Sequence, residues 1–265
     1  MRGFADKVIW ITGASSGIGA ALARAFGASG AHLILSGRRE DALAEIAREA
    51  GDRGAASTAT IAFEATDFDR LPELTADAEG RHGRIDMLVN NAGISQRSRA
   101  LETDMAVYRK LFEIDFFAPV ALTKLVLPGM VERKSGHIVV TSSVAGKVGG
   151  PQRTGYCAAK HALQGYYDAL RAEIWEHNIK VSLITPGFIR TDISTNALKG
   201  DGTTFGTMDK NIASGMDPDA AARVILRGLR RGHDEIAVGA GPEMHALWLK
   251  RVSPRLLNRV ARKLG

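Results

Sequence analysis

TGASSGIG, residues 12–19, is the strongest fold signal in this 265-residue chain. It follows an apolar β-rich run at 7–12 and leads into a helix-like segment at 18–28. A glycine-rich turn in that position lets backbone N–H groups approach a pyrophosphate at the positive end of a helix. The G-x3-G-x-G spacing departs from the general G-x-G-x-x-G fingerprint, and a glycine turn can also be simple punctuation between elements. Its position directly after the first strand favours a dinucleotide site.

Strand-like and helix-like segments alternate along the rest of the chain. The predicted strands are 7–12, 32–36, 58–63, 87–90, 137–141, 180–184 and 235–238. The predicted helices are 18–28, 39–50, 70–82, 104–132, 156–177 and 217–231. Several strands are continuously apolar, as expected when both faces of a sheet are covered. The pattern predicts one α/β domain over residues 1–241, a Rossmann-type doubly wound parallel sheet of about seven strands with helices on both faces.

Composition narrows the function classes. The net charge of +6 equals the charge of six basic residues that follow Glu243, and no acidic residue follows it; these are Lys250, Arg251, Arg255, Arg259, Arg262 and Lys263. Because the body of the chain is neutral, the charge argues against nucleic acid as a ligand. One cysteine, Cys157, excludes an internal disulfide, and no metal-ligand spacing occurs, so no metal site is expected.

The sequence predicts neither a signal peptide nor a membrane-spanning segment. Residues 1–7 contain no apolar stretch of the signal-peptide type, and no uncharged apolar run reaches the roughly 18 residues that span a bilayer. A cytoplasmic location is therefore expected. Residues 242–265 read as a basic amphipathic extension, interrupted by Ser253-Pro254. Its apolar face fits either packing on the body or a neighbouring subunit, or weak peripheral contact with an anionic membrane.

Tyr156 and Lys160 lie four residues apart at the start of a helical pattern, so they share one face. A free tyrosine has a pKa of about 10, and a neighbouring ammonium is expected to lower that pKa toward neutrality. The pair would then serve as a general acid and base. An isolated pair of this kind would more often be a packed tyrosine with a snorkelling lysine.

The second predicted strand ends in Ser36-Gly37-Arg38-Arg39. An acidic side chain there would accept hydrogen bonds from a ribose 2′-hydroxyl, whereas the planar guanidinium of Arg38 suits a 2′-phosphate. This end favours NADP(H) over NAD(H). The alternative is that Arg38 and Arg39 are only the solvated start of a helix.

Three motifs in register, TGASSGIG, NNAG at 90–93 and Tyr156-x3-Lys160, resemble the signature of the short-chain dehydrogenase/reductase family. The resemblance extends from about residue 7 to about residue 240. GHIVVTSSVAGKVG (136–149) and the basic tail are most similar to the hydroxysteroid-dehydrogenase-like and dehydrogenase/reductase-7-like branch. The resemblance implies interconversion of a carbonyl and an alcohol, on a lipophilic small molecule, by a homodimer or homotetramer formed through helices 104–132 and 156–177.

The resemblance also assigns the site. The catalytic residues are Ser143, Tyr156, Lys160 and Asp115, the last standing where the family usually has an asparagine that holds a water beside the lysine. The cofactor residues are Gly13, Ser15, Ser16, Gly17, Ile18, Gly19, Arg38, Arg39, Asp67, Asn91, Ala92, Gly93, Tyr156, Lys160, Pro186, Gly187, Ile189 and Thr191. Ser142 is expected to point away from the site, and residues 190–216 are expected to form a substrate lid.

Two other functions stay open at this point. A catalytically silent NADP(H)-binding sensor or scaffold would keep the fold. The one feature that favours this alternative is Asp115, which replaces the family's usual asparagine. An enoyl reductase on the same fold is disfavoured by the three-residue gap between Tyr156 and Lys160, because the resemblance to enoyl reductases would imply a wider Tyr–Lys spacing.

Overall fold

A computed structural model describes residues 3–262 and contains a seven-stranded parallel sheet in the order β3-β2-β1-β4-β5-β6-β7. Its strands are β1 (Val8–Thr12), β2 (His32–Gly37), β3 (Ser57–Ala62), β4 (Met87–Asn90), β5 (Gly136–Thr141), β6 (Ile179–Pro186) and β7 (Glu235–Val238). All residues of β1 and β4 are buried, because helices cover both faces of the sheet. The predicted fold is confirmed, and each strand boundary lies within two residues of the expectation.

The described part of the chain contains ten α-helices. They are α1 (Gly17–Gly27), α2 (Glu40–Asp52), α3 (Leu71–Gly80), α4 (Met105–Phe112), α5 (Ala118–Glu132), α6 (Thr154–Glu173), α7 (Lys210–Ala213), α8 (Pro218–Arg230), α9 (Glu243–Val252) and α10 (Pro254–Arg262). One apolar cluster lies between the sheet and α1, α2 and α8, and a second lies between the sheet and α3, α5 and α6. Strand order reverses between β1 and β4, so the crevice at their carboxyl ends is the place where such folds bind ligands.

The predicted helix at 104–132 is wrong in one respect, because it is not a continuous α-helix. A π-helical turn, Glu113–Phe117, separates α4 from α5 and contains the buried Asp115. A π turn inserts one extra residue and rotates the chain locally, which often occurs at functional sites. The predicted helix at 156–177 also ends early, at Glu173, and a short 3-10 turn (Trp175–His177) with Asn178 in the left-handed region follows.

Among residues 3–262, one continuous helical segment, Met105–Glu132, is long and apolar enough by composition to cross a bilayer. In this fold it packs on the sheet, with Leu122, Val126 and Met130 fully buried. The residue composition that satisfies a membrane-span test here therefore serves a core helix.

Two parts of the chain lie outside the alternating strands and helices of the sheet, namely residues 190–216 and the C-terminal tail. Residues 190–216 are mostly irregular and contain α7, whose first turn is capped by the Asp209 side chain. The tail forms α9 and α10, and the break falls at Ser253-Pro254, because proline cannot continue a helix. Lys263, counted above among the tail cations, lies outside the described residues.

Candidate functional site

The glycine turn between β1 and α1 adopts the conformation that a phosphate cradle requires. Gly13 and Gly17 have φ values of +64° and +57°, in the left-handed region. A Cβ atom added to Gly13 would lie 2.8 Å from Cα of Ala92, and one added to Gly19 would lie 2.2 Å from the Gly13 oxygen. Only glycine fits these positions. Because the first N–H groups of a helix have no intrahelical acceptor, the start of α1 suits a pyrophosphate.

Asn91 joins the carboxyl ends of three strands. Its side-chain amide donates to the Thr12 and Gly13 oxygens at 3.2 and 3.3 Å, and its Oδ1 accepts from the Thr141 hydroxyl at 3.2 Å. The Thr12 hydroxyl oxygen in turn accepts from the N–H groups of Asn91 and Ala92 at 3.0 and 3.1 Å. These bonds fix the floor of the crevice beneath the glycine turn. Thr12 and Thr141 were not identified from the sequence, because threonine at a strand end carries no distinct signal.

The two arginines that follow β2 take different positions. Arg39 lies on the glycine turn, where its guanidinium donates to the Ser15 carbonyl at 3.1 Å and the Ser15 hydroxyl at 3.3 Å. Arg38 is exposed, with its guanidinium 3.6 Å from the Glu64 carboxylate. Asp67 lies 3.8 Å from Arg70. The side chains of Arg38 and Arg39 thus flank the end of β2, where an adenosine ribose lies in folds of this type.

Tyr156 and Lys160 occupy the first turns of α6, directly below the end of β5. Both are buried, and the Lys160 ammonium lies 5.8 Å from the centre of the Tyr156 ring and donates to the Thr141 carbonyl at 3.2 Å. Ser143 follows β5, where its side-chain oxygen accepts from the Ala145 N–H at 3.1 Å, and its hydroxyl lies close enough to Tyr156 to lower the pKa of that phenol. Ser142 points the other way, donating to the Lys160 carbonyl at 3.2 Å and accepting from Gln164 at 3.0 Å. The geometry therefore separates the two serines as the sequence predicted.

The pKa of Tyr156 differs from the expectation. Burial raises the pKa of its phenol above the ordinary value of 10.0, although the Lys160 ammonium and the Ser143 hydroxyl act in the opposite direction. The Asp115 carboxylate adds to the increase. The expected lowering by lysine is present but is outweighed by desolvation, which cannot be judged from a four-residue spacing.

Asp115 is fully buried beside Lys160. Its Oδ1 accepts from the Ile94 N–H at 2.9 Å and lies 3.6 Å from the Lys160 ammonium, while Oδ2 is buried without a hydrogen-bond partner among the described residues. Burial raises the pKa of this carboxyl above its usual 3.8, and Lys160 and the Ile94 N–H oppose the change. The sequence suggested contact with Lys160 through water. The two groups instead lie side by side, because the π-helical turn brings Asp115 to the site.

Gln96 is a site residue that sequence reasoning missed. Its buried side-chain oxygen accepts from the N–H groups of Gly155 and Tyr156 at 2.8 and 3.4 Å, and its amide donates to the hydroxyls of Ser98 and Thr103, both at 3.1 Å. Gln96 therefore supplies the hydrogen-bond acceptor for two backbone N–H groups in the first turn of α6, one of them that of Tyr156. Its one signal is its place six residues after Asn90, in the loop that follows β4.

An ion-pair cluster that the sequence did not reveal joins residues 190–216 to the loop that follows β4 and to the segment that precedes Tyr156. The Asp209 carboxylate lies 3.0 Å from the guanidinium of Arg97, which is almost fully buried, and 3.4 Å from that of Arg153. Burial opposes ionisation of Asp209, but the Asn211 N–H and the two arginines outweigh it and hold its pKa below the usual 3.8. We call Arg97, Arg153 and Asp209 the lid clasp. These residues are separated by up to 112 positions in the chain, so no local pattern shows them.

The segment after β6 returns to the glycine turn. Pro186 ends β6, and the Gly187 N–H donates to the Val238 carbonyl at 2.7 Å. Thr191 lies over the start of α1, since a Cβ atom added to Gly17 would be 3.0 Å from its methyl group. Ile189 is buried and pairs with Met216, which brings the two ends of the 190–216 segment together. The predicted residues from three distant parts of the chain thus surround one crevice.

Known proteins resemble this chain in sequence and in fold. A family model described as short chain dehydrogenase matches residues 7–202. Dehydrogenase/reductase SDR family member 7B of Danio rerio is 44% identical over 261 residues, covering 96% of this chain and 84% of the relative. A short-chain dehydrogenase structure from Streptomyces avermitilis aligns with a TM-score of 0.82 at 31% identity, covering 98% of this chain and 99% of the other.

Two further structures contain a nucleotide. A metagenomic short-chain oxidoreductase in complex with NADP aligns with a TM-score of 0.73 at 28% identity, over 89% of this chain and 98% of the other. A short chain dehydrogenase/reductase from Burkholderia phymatum in complex with NAD aligns with a TM-score of 0.82 at 22% identity, over 99% of this chain and 97% of the other.

Proposed function

This chain belongs to the short chain dehydrogenase family, and on that premise we propose that it is an NADP(H)-dependent oxidoreductase that interconverts a ketone or aldehyde and an alcohol. The resemblance to the dehydrogenase/reductase-7-like branch is confirmed by the relative from Danio rerio. The observation that carries the proposal is the convergence of Ser143, Tyr156 and Lys160 at the carboxyl edge of the sheet. They lie beside the turn between β1 and α1, in which Gly13 and Gly19 leave no room for a side chain.

The chain's own residues supply the proton chemistry. In the reductive direction, Tyr156 donates its phenolic proton to the substrate oxygen as that oxygen gains negative charge. Ser143 hydrogen-bonds to the same oxygen and stabilises the charge. Lys160 places its ammonium beside the phenol, and its charge favours the phenolate that remains. In the reverse direction, the phenolate accepts the proton of the alcohol.

The glycine turn and the end of β2 would hold the dinucleotide. The N–H groups at the start of α1 would bind the pyrophosphate, and Lys160 would reach the nicotinamide ribose hydroxyls. The bound nicotinamide would supply or accept the hydride. NADP(H) is proposed over NAD(H) because Gly37 leaves the ribose without a carboxylate, while Arg38 and Arg39 offer cations on either side.

Asp115 is proposed as a positioning residue that acts through Lys160. Its carboxylate fixes the ammonium between Thr141 and the Tyr156 ring, and it also opposes formation of the phenolate. The lid clasp is proposed to hold residues 190–216 over a lipophilic substrate, because it joins the lid to Arg153, three residues before Tyr156. Both assignments concern groups next to the site, not the reacting atoms.

Assembly as a homo-oligomer is part of the proposal. The surface of α4 and the π-helical turn has a groove of about 470 Å³ lined by Met105, Tyr108, Arg109, Phe112, Glu113 and Phe117. Met105 and Phe117 are exposed apolar side chains there. A second copy of this surface would bury them, as the resemblance to the family implies for this helix.

The experiment that tests the function is NADPH oxidation across steroid, aromatic, aliphatic and 3-oxoacyl carbonyls, with Tyr156→Phe in parallel. Turnover by the native protein should fall by about 10²–10⁴-fold in the variant. NADPH binding, measured by thermal shift, should survive in the variant because the glycine turn is intact. Equal turnover by both proteins contradicts the assignment of Tyr156. NADPH binding without turnover of any carbonyl would favour a silent NADP(H)-binding protein.

A further inference from the structure

The last two helices expose apolar side chains to an unusual degree. Trp248 and Val252 on α9 are 67% and 60% exposed, and Leu256 and Val260 on α10 are 46% and 44% exposed. Four of the nine large apolar side chains exposed within residues 3–262 lie in these two helices. Each pair has the i, i+4 spacing that places both members on one face of its helix. The two helices therefore present apolar stripes that the body of the protein does not cover.

After Glu243, the first residue of α9, the charged side chains of the same helices are all basic. Arg251, Arg255, Arg259 and Arg262 are exposed, and the described residues after Glu243 include no acidic side chain. Glu243 itself is directed inward, where one carboxylate oxygen accepts the Phe188 N–H at 3.0 Å and the other is buried. An exposed face of tryptophan, leucine and valine bordered by arginine is the composition of helices that lie in a lipid headgroup layer.

The helices are already anchored to the body by other groups. Lys250 donates to the Lys147 carbonyl and lies 3.4 Å from a ring nitrogen of His161, while Leu257 is buried. The exposed pairs are consequently not needed for this attachment. Packing on the body, one of the two interpretations that the sequence allowed, describes Leu257 and Lys250 but not Trp248 or Val252.

We propose that α9 and α10 form a docking surface for an anionic lipid bilayer, with the stripes Trp248/Val252 and Leu256/Val260 entering the headgroup layer and the arginines contacting acidic lipids. A second copy of this chain fits less well, because two such surfaces would bring like charges together. The proposal concerns attachment and does not depend on the proposed function.

The position of the surface has a consequence for substrate entry. Helix α9 packs against the turn Val144–Gly146, which directly follows Ser143, and Glu243 holds the N–H of Phe188 beyond β6. Docking through α9 therefore brings the catalytic side of the molecule toward the lipid. A lipophilic carbonyl substrate could then enter from the bilayer, an extension that rests on the proposed function.

The test is co-sedimentation of the full chain with vesicles of phosphatidylcholine alone and of phosphatidylcholine with phosphatidylserine. The charge variant is Arg251→Gln, Arg255→Gln and Arg259→Gln, and its control is Arg48→Gln, Arg53→Gln and Arg231→Gln, three exposed arginines on other elements. The apolar variant is Trp248→Ala with Leu256→Ala, and its control is Trp175→Ala with Leu101→Ala, at exposed positions outside the two helices.

We expect the native protein to bind the anionic vesicles and to release them as the salt concentration rises. The charge variant should bind about a hundredfold more weakly, and the apolar variant about tenfold more weakly. Both controls should bind like the native protein. Equal binding to both kinds of vesicle, or native binding by both variants, overturns the proposal. Loss of a dimer in the apolar variant, without vesicle binding by the native protein, would also overturn it and assign the surface to self-association.

Far-UV circular dichroism and the unfolding temperature of each variant, measured without cofactor, verify that the domain is folded. Failure of docking is distinguishable from failure of the proposed function, since vesicle binding requires no turnover.

Discussion

The carboxylate of Asp115 lies 3.6 Å from the ammonium of Lys160, and both side chains are almost completely excluded from solvent. The same ammonium lies 5.8 Å from the centre of the Tyr156 ring, so the three groups form one electrostatic unit. Lys160 and Asp115 act on the phenol with opposite signs, and burial adds to the effect of Asp115. The protonation of Tyr156 is therefore set by its burial together with the charges of Lys160 and Asp115.

Replacement of Asp115 by asparagine should shift the pH dependence of alcohol oxidation. The carboxylate raises the pKa of Tyr156, so its removal lowers that pKa, and the phenolate needed for oxidation forms at lower pH. We expect the rising limb of the kcat profile to move to lower pH. Asparagine keeps the side-chain size and can accept from the Ile94 N–H. A profile that stays in place while kcat falls would indicate a purely structural role.

Replacement of Arg38 and Arg39 by glutamine should weaken selection of NADPH. Losing two cations beside the end of β2 should raise KM for NADPH by about 10- to 100-fold and leave KM for NADH nearly unchanged. Arg53→Gln, at an exposed position at the end of α2, is the matched control. Steady-state kinetics with both cofactors decides the point. An equal rise in both KM values would mean that the arginines do not read the 2′-phosphate.

Replacement of Gln96 by leucine should lower kcat more than it affects NADPH binding. The variant leaves the N–H groups of Gly155 and Tyr156 without their acceptor, so the start of α6 loses its position. Unfolding in urea should show a loss of about 1–3 kcal/mol. Thr103→Val removes one partner of Gln96 but not the bonds to α6, and should lower kcat much less. Similar kcat values for the two variants would contradict a positioning role for Gln96.

Replacement of Asp209 by asparagine should loosen the lid clasp. Arg97, which is almost fully buried, would lose its anionic partner, at a cost of about 2 kcal/mol in the free energy of unfolding after allowance for partial exposure. The KM for substrate should rise, and proteases should cut within residues 190–216 faster. Arg190→Gln, which breaks the exposed pair with Asp217, is the control.

The same clasp should make stability depend on acid pH. The pKa of Asp209 is held below the usual 3.8, so its contribution is present above that value and is lost as pH falls through the lower folded pKa. The native protein should therefore lose more stability below pH 3.8 than Asp209→Asn does. Parallel acid titrations followed by circular dichroism would test this. Identical titrations would show that the ionised Asp209 carboxylate does not contribute to the stability of the protein.

Local patterns in the sequence were enough to predict the sheet, the order of its elements and the motifs at its carboxyl edge. A strand buried on both faces requires consecutive apolar residues, and a turn with positive φ requires glycine at a fixed position, so both are visible in short stretches of sequence. The positions of Tyr156, Lys160 and Ser143 followed from motifs in register, and Ser142 was correctly directed away from the site.

The contacts that Asp115, Gln96 and the lid clasp make with that site depend on long-range packing. The helical period hides the π-helical turn that brings Asp115 against Lys160, and Arg97 meets Asp209 across 112 residues. Desolvation likewise decided the direction of the Tyr156 pKa, because it depends on everything that packs around the phenol and not on the spacing to a lysine. Local pattern specifies which elements form, whereas long-range packing specifies the charges and partners that surround each functional group.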